Sequence, residues 1–155
     1  MIWMYFIHIL SRRRNMYILK TEQSFDSAHF LSGYEGKCAN VHGHRWRVII
    51  EVKTEQLAKE RQLRGMYVDF STLKADLLKE TEKLDHALII EKGSLKEKTI
   101  EALKEENFKM IMVDFRPTAE NFSKYFYDKM KLYGYHVRCA TVYETPKNSA
   151  GYYEE

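Results

Sequence analysis

The chain is short of several things, and each shortage closes off a class of protein. Cysteine occurs only twice, at Cys38 and Cys139. The two could pair, but secreted disulfide scaffolds are dense in cysteine, so a reducing cytoplasm is the expected setting. Excess charge is small, +3 over 155 residues, with no long basic stripe and no basic repeat. A nucleic-acid partner is therefore not expected. Nor is a membrane span, because the apolar stretch at residues 1–10 is half the roughly 20 residues that a spanning helix needs. Arg12, Arg13 and Arg14 follow that stretch, whereas a signal peptide carries its positive charge first. Residues 1–15 are read as a tail, an upstream-start artefact or one extra strand, and a cleaner segment opens at Met16. Internal repeats and low-complexity linkers are also lacking.

What remains describes one ordinary domain over residues 16–155. Hydrophobic residues make up 45% and charged residues 30%, enough apolar material for a core without staples. Eleven Tyr and eight Phe favour sheet packing. Residues 17–30 read as an extended segment, and residues 31–41, with Gly33, Gly36 and Asn40, as a loop. From His44 to Thr54 the pattern alternates, with Trp46, Val48, Ile50 and Val52 on one face. A short extended piece is expected at 66–70, then a helix over 72–83 capped by Ser71. Residues 91–107 form a charged, peripheral insertion with an exposed helix beginning near Ser94. A short strand follows at 109–114. Pro117 and Thr118 open a second helix with a stripe of Phe122, Tyr125, Phe126 and Met130. Residues 135–145 alternate again, and 150–153 can return as a hairpin partner. The order strand-strand-helix-helix-strand-strand is an α+β arrangement with an antiparallel sheet and two helices on one face.

Three of the six histidines fall between positions 29 and 44. His42 and His44 flank Gly43, and residues i and i+2 of a strand point the same way. An antiparallel partner would bring His29 beside them. Three neutral imidazoles with an open fourth position make a catalytic zinc site. Cys38 as a fourth ligand would instead close a structural one. A solvated surface pair with a packed His29 is the plain alternative. Spacing alone leaves these open.

Several motifs run in order from about residue 17 onward: F-D-S-A-H-F-L (25–31), G-K-C-A-N-V-H-G-H (36–44), G-M-Y-V-D-F (65–70), L-D-H (84–86), P-T-A-E-N (117–121) and Y-E-T (143–145). Together they resemble the 6-pyruvoyltetrahydropterin synthase / 6-carboxytetrahydropterin synthase family. The three residues between Cys38 and His42 resemble the carboxy branch of the queuosine pathway. That resemblance implies a tunnelling fold (T-fold), a β-β-α-α-β-β unit whose subunits close into a barrel, here a homohexamer with the active site at a subunit interface. It implies one zinc per subunit on His29, His42 and His44, and a small pterin substrate, 7,8-dihydroneopterin triphosphate. Cys38 would be the base. Asp85 and His86 would be a second catalytic pair supplied by a neighbouring subunit. Glu144 would anchor the pterin, with Glu120 and Thr118 as further contacts. For the last two, ordinary helix capping is a competing role. Asp69 is either a support for a ligand histidine or a turn residue. Arg45 and Arg47 face away from His44 and are read as solvated.

Overall fold

The computed structural model describes residues 15–155; the expectation for the N-terminal tail falls almost wholly outside them. Two long strands dominate, β1 (Tyr17–His29) and β2 (His42–Thr54), paired antiparallel along their whole length so that His29 lies opposite His42 and Phe25 opposite Trp46. β5 (Val137–Thr145) pairs with β2, and β6 (Asn148–Tyr152) returns on β5 after the two-residue turn Pro146–Lys147. Helices α1 (Phe70–Leu84) and α3 (Ala119–Leu132) pack on the sheet. This is the expected β-β-α-α-β-β core.

One strand lies outside the expected order. Residues 87–91 form a buried strand, β3, which runs parallel to the end of β1. It leads through α2 (Glu97–Glu105) to β4 (Met110–Val113), which pairs parallel with β3. The sheet is therefore six-stranded and mixed, in the order β4-β3-β1-β2-β5-β6. A buried parallel strand reads as a continuous apolar run, here A-L-I-I, rather than as an alternation. In place of the short strand expected at 66–70, residues 66–69 are irregular backbone and Phe70 opens α1. Asp69, not Ser71, caps α1: its carboxylate accepts from the Ser71 amide and hydroxyl at 2.7 and 2.6 Å. That engagement also sets aside a role for Asp69 behind a histidine.

The core lies between sheet and helices. Trp46, Val48, Ile50 and Val52 are fully buried, as the alternation requires, against Leu73 and Leu77 of α1 and Phe122, Phe126 and Met130 of α3. Phe25 stacks on Trp46 and meets Phe122 edge-on. This aromatic block is the floor on which the histidines stand.

Candidate metal centre and cavity

The β1–β2 register brings the three histidines together. His29 ends β1, and His42 and His44 open β2, all projecting on the face that also carries Phe25 and Trp46. Ring centroids lie 4.4 to 5.2 Å apart. Trp46 packs edge-on beneath His29 and His44, at 5.0 and 5.4 Å. A Cβ at Gly43 would stand 3.5 Å from the Ser27 carbonyl, an ordinary contact, so packing against β1 does not itself demand a glycine there.

Two of the rings are oriented by backbone carbonyls. His29 Nδ1 lies 2.7 Å from the Pro117 carbonyl and His42 Nδ1 lies 2.8 Å from that of Asn40. A carbonyl only accepts, so each Nδ1 carries the proton and each Nε2 presents a lone pair. Among the described residues, the Nε2 atoms of His29, His42 and His44 are all buried without a hydrogen-bond partner. A buried polar atom left unpaired is costly, and three converging on one point are what a cation would satisfy. Burial pushes His29 down to about 4 against the pull of the Pro117 carbonyl, and the neighbouring imidazoles push the same way. His44 is also lowered, chiefly by burial, despite the nearby Glu144 carboxylate. Neutral imidazole is the metal-binding form.

Glu144 comes from β5, on the same side of the sheet. Its Oε1 stands 3.5 Å from His29 Nε2 and 3.6 Å from His44 Nε2. His29, His42, His44 and Glu144 thus offer ligand atoms within 4.8 Å of one another, and this set can hold a metal ion. Cys38 is not in it. The thiol sits in a single 3-10 turn (Lys37–Ala39) of the loop between β1 and β2, whose ends are joined by the bond from the Leu31 amide to the Cys38 carbonyl. Cys38 faces a cavity of about 300 Å³ shared with Glu144, Thr118 and Glu120. The Thr118 hydroxyl accepts from the Asn121 amide at 3.4 Å, capping α3, and Glu120 is exposed in the first turn of that helix. Tyr34, which carried no motif, also lines this cavity.

Asp85 and His86 are brought together, but not to this cavity. Asp85 Oδ2 receives His86 Nδ1 at 2.7 Å, while Oδ1 accepts the Asp26 amide at 2.8 Å. The Asp26 amide, more than the histidine, holds the Asp85 carboxyl below its usual range. His86 has φ 51°, uncommon for a side-chain-bearing residue, and its amide donates to the Asp26 carbonyl at 2.6 Å. Its exposed ring borders a different cavity, of about 470 Å³, with Leu103, Phe108 and Lys109. The 91–107 insertion is therefore not wholly peripheral, because Leu103 borders the His86 cavity. Arg45 and Arg47 are already paired, with Asp26 at 3.1 Å and Glu22 at 3.6 Å. Arg47 also lies over Tyr143, 4.1 Å from the ring centre.

Fold and site define a class: a T-fold protein with a converged imidazole centre, able to hold a metal, at the rim of its helix-covered face. A solved structure of an uncharacterised protein from Wolinella succinogenes shares the fold with TM-score 0.73 at 22% identity, over 91% of this chain and 99% of that one. The 6-pyruvoyl tetrahydropterin synthase of Caenorhabditis elegans shares it with TM-score 0.63 at 24% identity, over 92% and 99%. The 6-carboxy-5,6,7,8-tetrahydropterin synthase of Haemophilus influenzae is 33% identical over 142 residues, 90% of this chain and 100% of that protein. The sequence profile described as PTPS, 6-pyruvoyl tetrahydropterin synthase, matches residues 18–155. The chain belongs to the 6-pyruvoyl tetrahydropterin synthase family.

Proposed function

We propose that this chain is a 6-carboxy-5,6,7,8-tetrahydropterin synthase. It would convert 7,8-dihydroneopterin triphosphate to 6-carboxytetrahydropterin, acetaldehyde and triphosphate, a step of queuosine biosynthesis. The observation that carries the reading is the division of labour at the site. Three orphaned imidazole nitrogens converge, while the one nearby thiol stays out of the ligand set and faces the cavity. The name carried by the full-length Haemophilus influenzae relative supports the carboxy product.

In this reading His29, His42 and His44 hold one zinc ion. Bound there, zinc would act as a Lewis acid on the side-chain hydroxyl oxygens of the substrate. Cys38 removes a proton from the side-chain carbon beside those hydroxyls. Glu144 anchors the pterin by accepting from its 2-amino group and ring N–H, as a carboxylate accepts from guanidinium. Thr118 can still donate its hydroxyl proton into the cavity while it caps α3. Glu120 offers a second carboxylate at the same wall. His86, oriented by Asp85, carries protons to and from a neighbouring subunit's cavity. Its exposure and its place at a cavity other than that of Cys38 support such sharing, as in a closed homohexamer. Free cysteines among the described residues, one of them the base, fit a reducing cytoplasm. No helix of the described residues is long and apolar enough to cross a membrane.

Purified enzyme given dihydroneopterin triphosphate should release acetaldehyde in proportion to triphosphate. Triphosphate without acetaldehyde, alongside a pyruvoyl product, would assign the chain to the other activity of the family. Elemental analysis should find zinc bound at one per chain; metal-free protein with full turnover would end the reading.

A further inference from the structure

Tyr34 has no part in the reading above, yet its surroundings are built. It sits in the middle of the loop that carries Cys38, with its amide bonded to the Leu31 carbonyl at 3.2 Å. It lines the same cavity as Cys38, Glu120 and Glu144. It keeps 48% of its surface open.

Two neighbours bound its place. Gly36, two residues on, lies so close that a Cβ there would stand 2.7 Å from Tyr34 Cε1, so a side chain at 36 would push the ring aside. Arg116 comes from the segment before α3. Its Nη2 donates to the Ser32 carbonyl at 2.9 Å, and its guanidinium carbon lies 5.9 Å from the Tyr34 ring centre. The residue after it, Pro117, supplies the carbonyl that orients His29. One short segment therefore references both the aromatic ring and a metal-binding histidine.

Among the residues lining this cavity Tyr34 is the one aromatic, so it supplies the flat apolar surface that the carboxylates, hydroxyls, amide and thiol there lack. We infer that Tyr34 is a substrate-contact residue, the wall on which a planar bicyclic heterocycle packs while Glu144 or Glu120 takes its N–H groups. Gly36 and Arg116 are positioning residues that set the ring. The inference rests on the pterin reading and deepens it.

The test uses neopterin, an oxidised pterin without the triphosphate, whose fluorescence reports binding to the zinc-loaded protein. Tyr34→Leu should weaken binding about tenfold, the scale of one base–aromatic stack. Tyr34→Phe should stay within about twofold, since the ring is kept. Zinc content and the rate of Cys38 alkylation should match wild type in both, which a general loosening of the loop would not allow. Gly36→Ala should weaken binding in the wild-type background and add nothing to Tyr34→Leu, because its effect acts through the ring. Unchanged neopterin affinity in Tyr34→Leu overturns the inference, and so does an additive Gly36→Ala. If Tyr34→Leu loses its zinc, Gly36→Ala decides alone, and unchanged affinity there overturns it. Wild-type protein that binds no neopterin overturns the pterin reading itself, and is thereby told apart from a failure of Tyr34 alone.

Discussion

Residue type alone would put Cys38 on the metal. A thiol is the stronger zinc ligand, yet the 3-10 turn holds Cys38 outside the group of converging atoms. The carboxylate of Glu144 lies against the imidazoles instead. Removing the thiol should therefore leave the metal and take the chemistry. Cys38→Ala is expected to keep wild-type zinc while turnover falls by about a hundredfold or more, the usual cost of losing a general base. Parallel metal analysis and initial-rate assays check both halves, and zinc loss would make Cys38 a ligand after all. The motif K-C-A-N-V-H-G-H placed these atoms in one neighbourhood, but spacing left Cys38 open as base or ligand. Its exclusion from the ligand set depends on a backbone turn that no residue count reveals.

At the scale of elements, the site depends on how firmly the two main helices hold the sheet. Glu80 of α1 is buried, and its Oε1 accepts from Lys83 at 2.6 Å and from the Tyr133 hydroxyl, just past α3, at 2.8 Å. Burial alone would raise this carboxyl. The Lys83 ammonium and the Tyr133 hydroxyl outweigh it and hold it below the ordinary 4.5. The folded protein thus keeps Glu80 charged at a pH where the unfolded chain has begun to protonate. Its stabilising contribution is present above about pH 4.5 and fades as pH falls through the lower folded value. Glu80→Gln should lose about 2 kcal/mol at neutral pH, the scale of a charged hydrogen bond in a buried setting. It should also show a flatter loss of stability in acid. Urea melts at pH 7 and pH 4 measure both. The amphipathic stripes announced α1 and α3 correctly, because their periodicity is local. β3 escaped because a strand covered on both sides carries no alternation, and its parallel partners lie far away in sequence.

For the whole molecule, the separation of Asp85 and His86 from the Cys38 cavity is the decisive feature. Both pairs of groups are well made, one by the Asp26 backbone and one by the β1–β2 loop, yet they border different cavities of one chain. The sheet also ends on β4 and β6, whose outer edges pair with no strand among the described residues. Unpaired edges invite pairing with another copy. If sites are completed across subunits, Cys38→Ala and His86→Ala proteins should each be inactive alone. Refolded together they should regain turnover, since some interfaces then combine an intact Cys38 with an intact His86. Absence of recovery in mixed oligomers verified by mass would mean that each chain works by itself.

The amino-acid sequence by itself determined the H-x-H pair, the long alternating strand, both amphipathic helices and, through six ordered motifs, the resemblance to the family. These are matters of local spacing: i and i+2 on a strand, i and i+4 on a helix, and fixed short gaps in a loop. Tertiary structure decided the rest. It set the tautomers of His29 and His42 through the Pro117 and Asn40 carbonyls. It kept Cys38 apart from the converging ligand atoms, joined the helix of the charged insertion to β3 and β4 as a β-α-β extension beside His86, and lodged Tyr34 over Gly36. The His29 tautomer and the extension beside His86 depend on contacts between segments far apart in sequence, and the placing of His42, Cys38 and Tyr34 depends on loop turns that carry no periodic signal, so only the folded chain contains them.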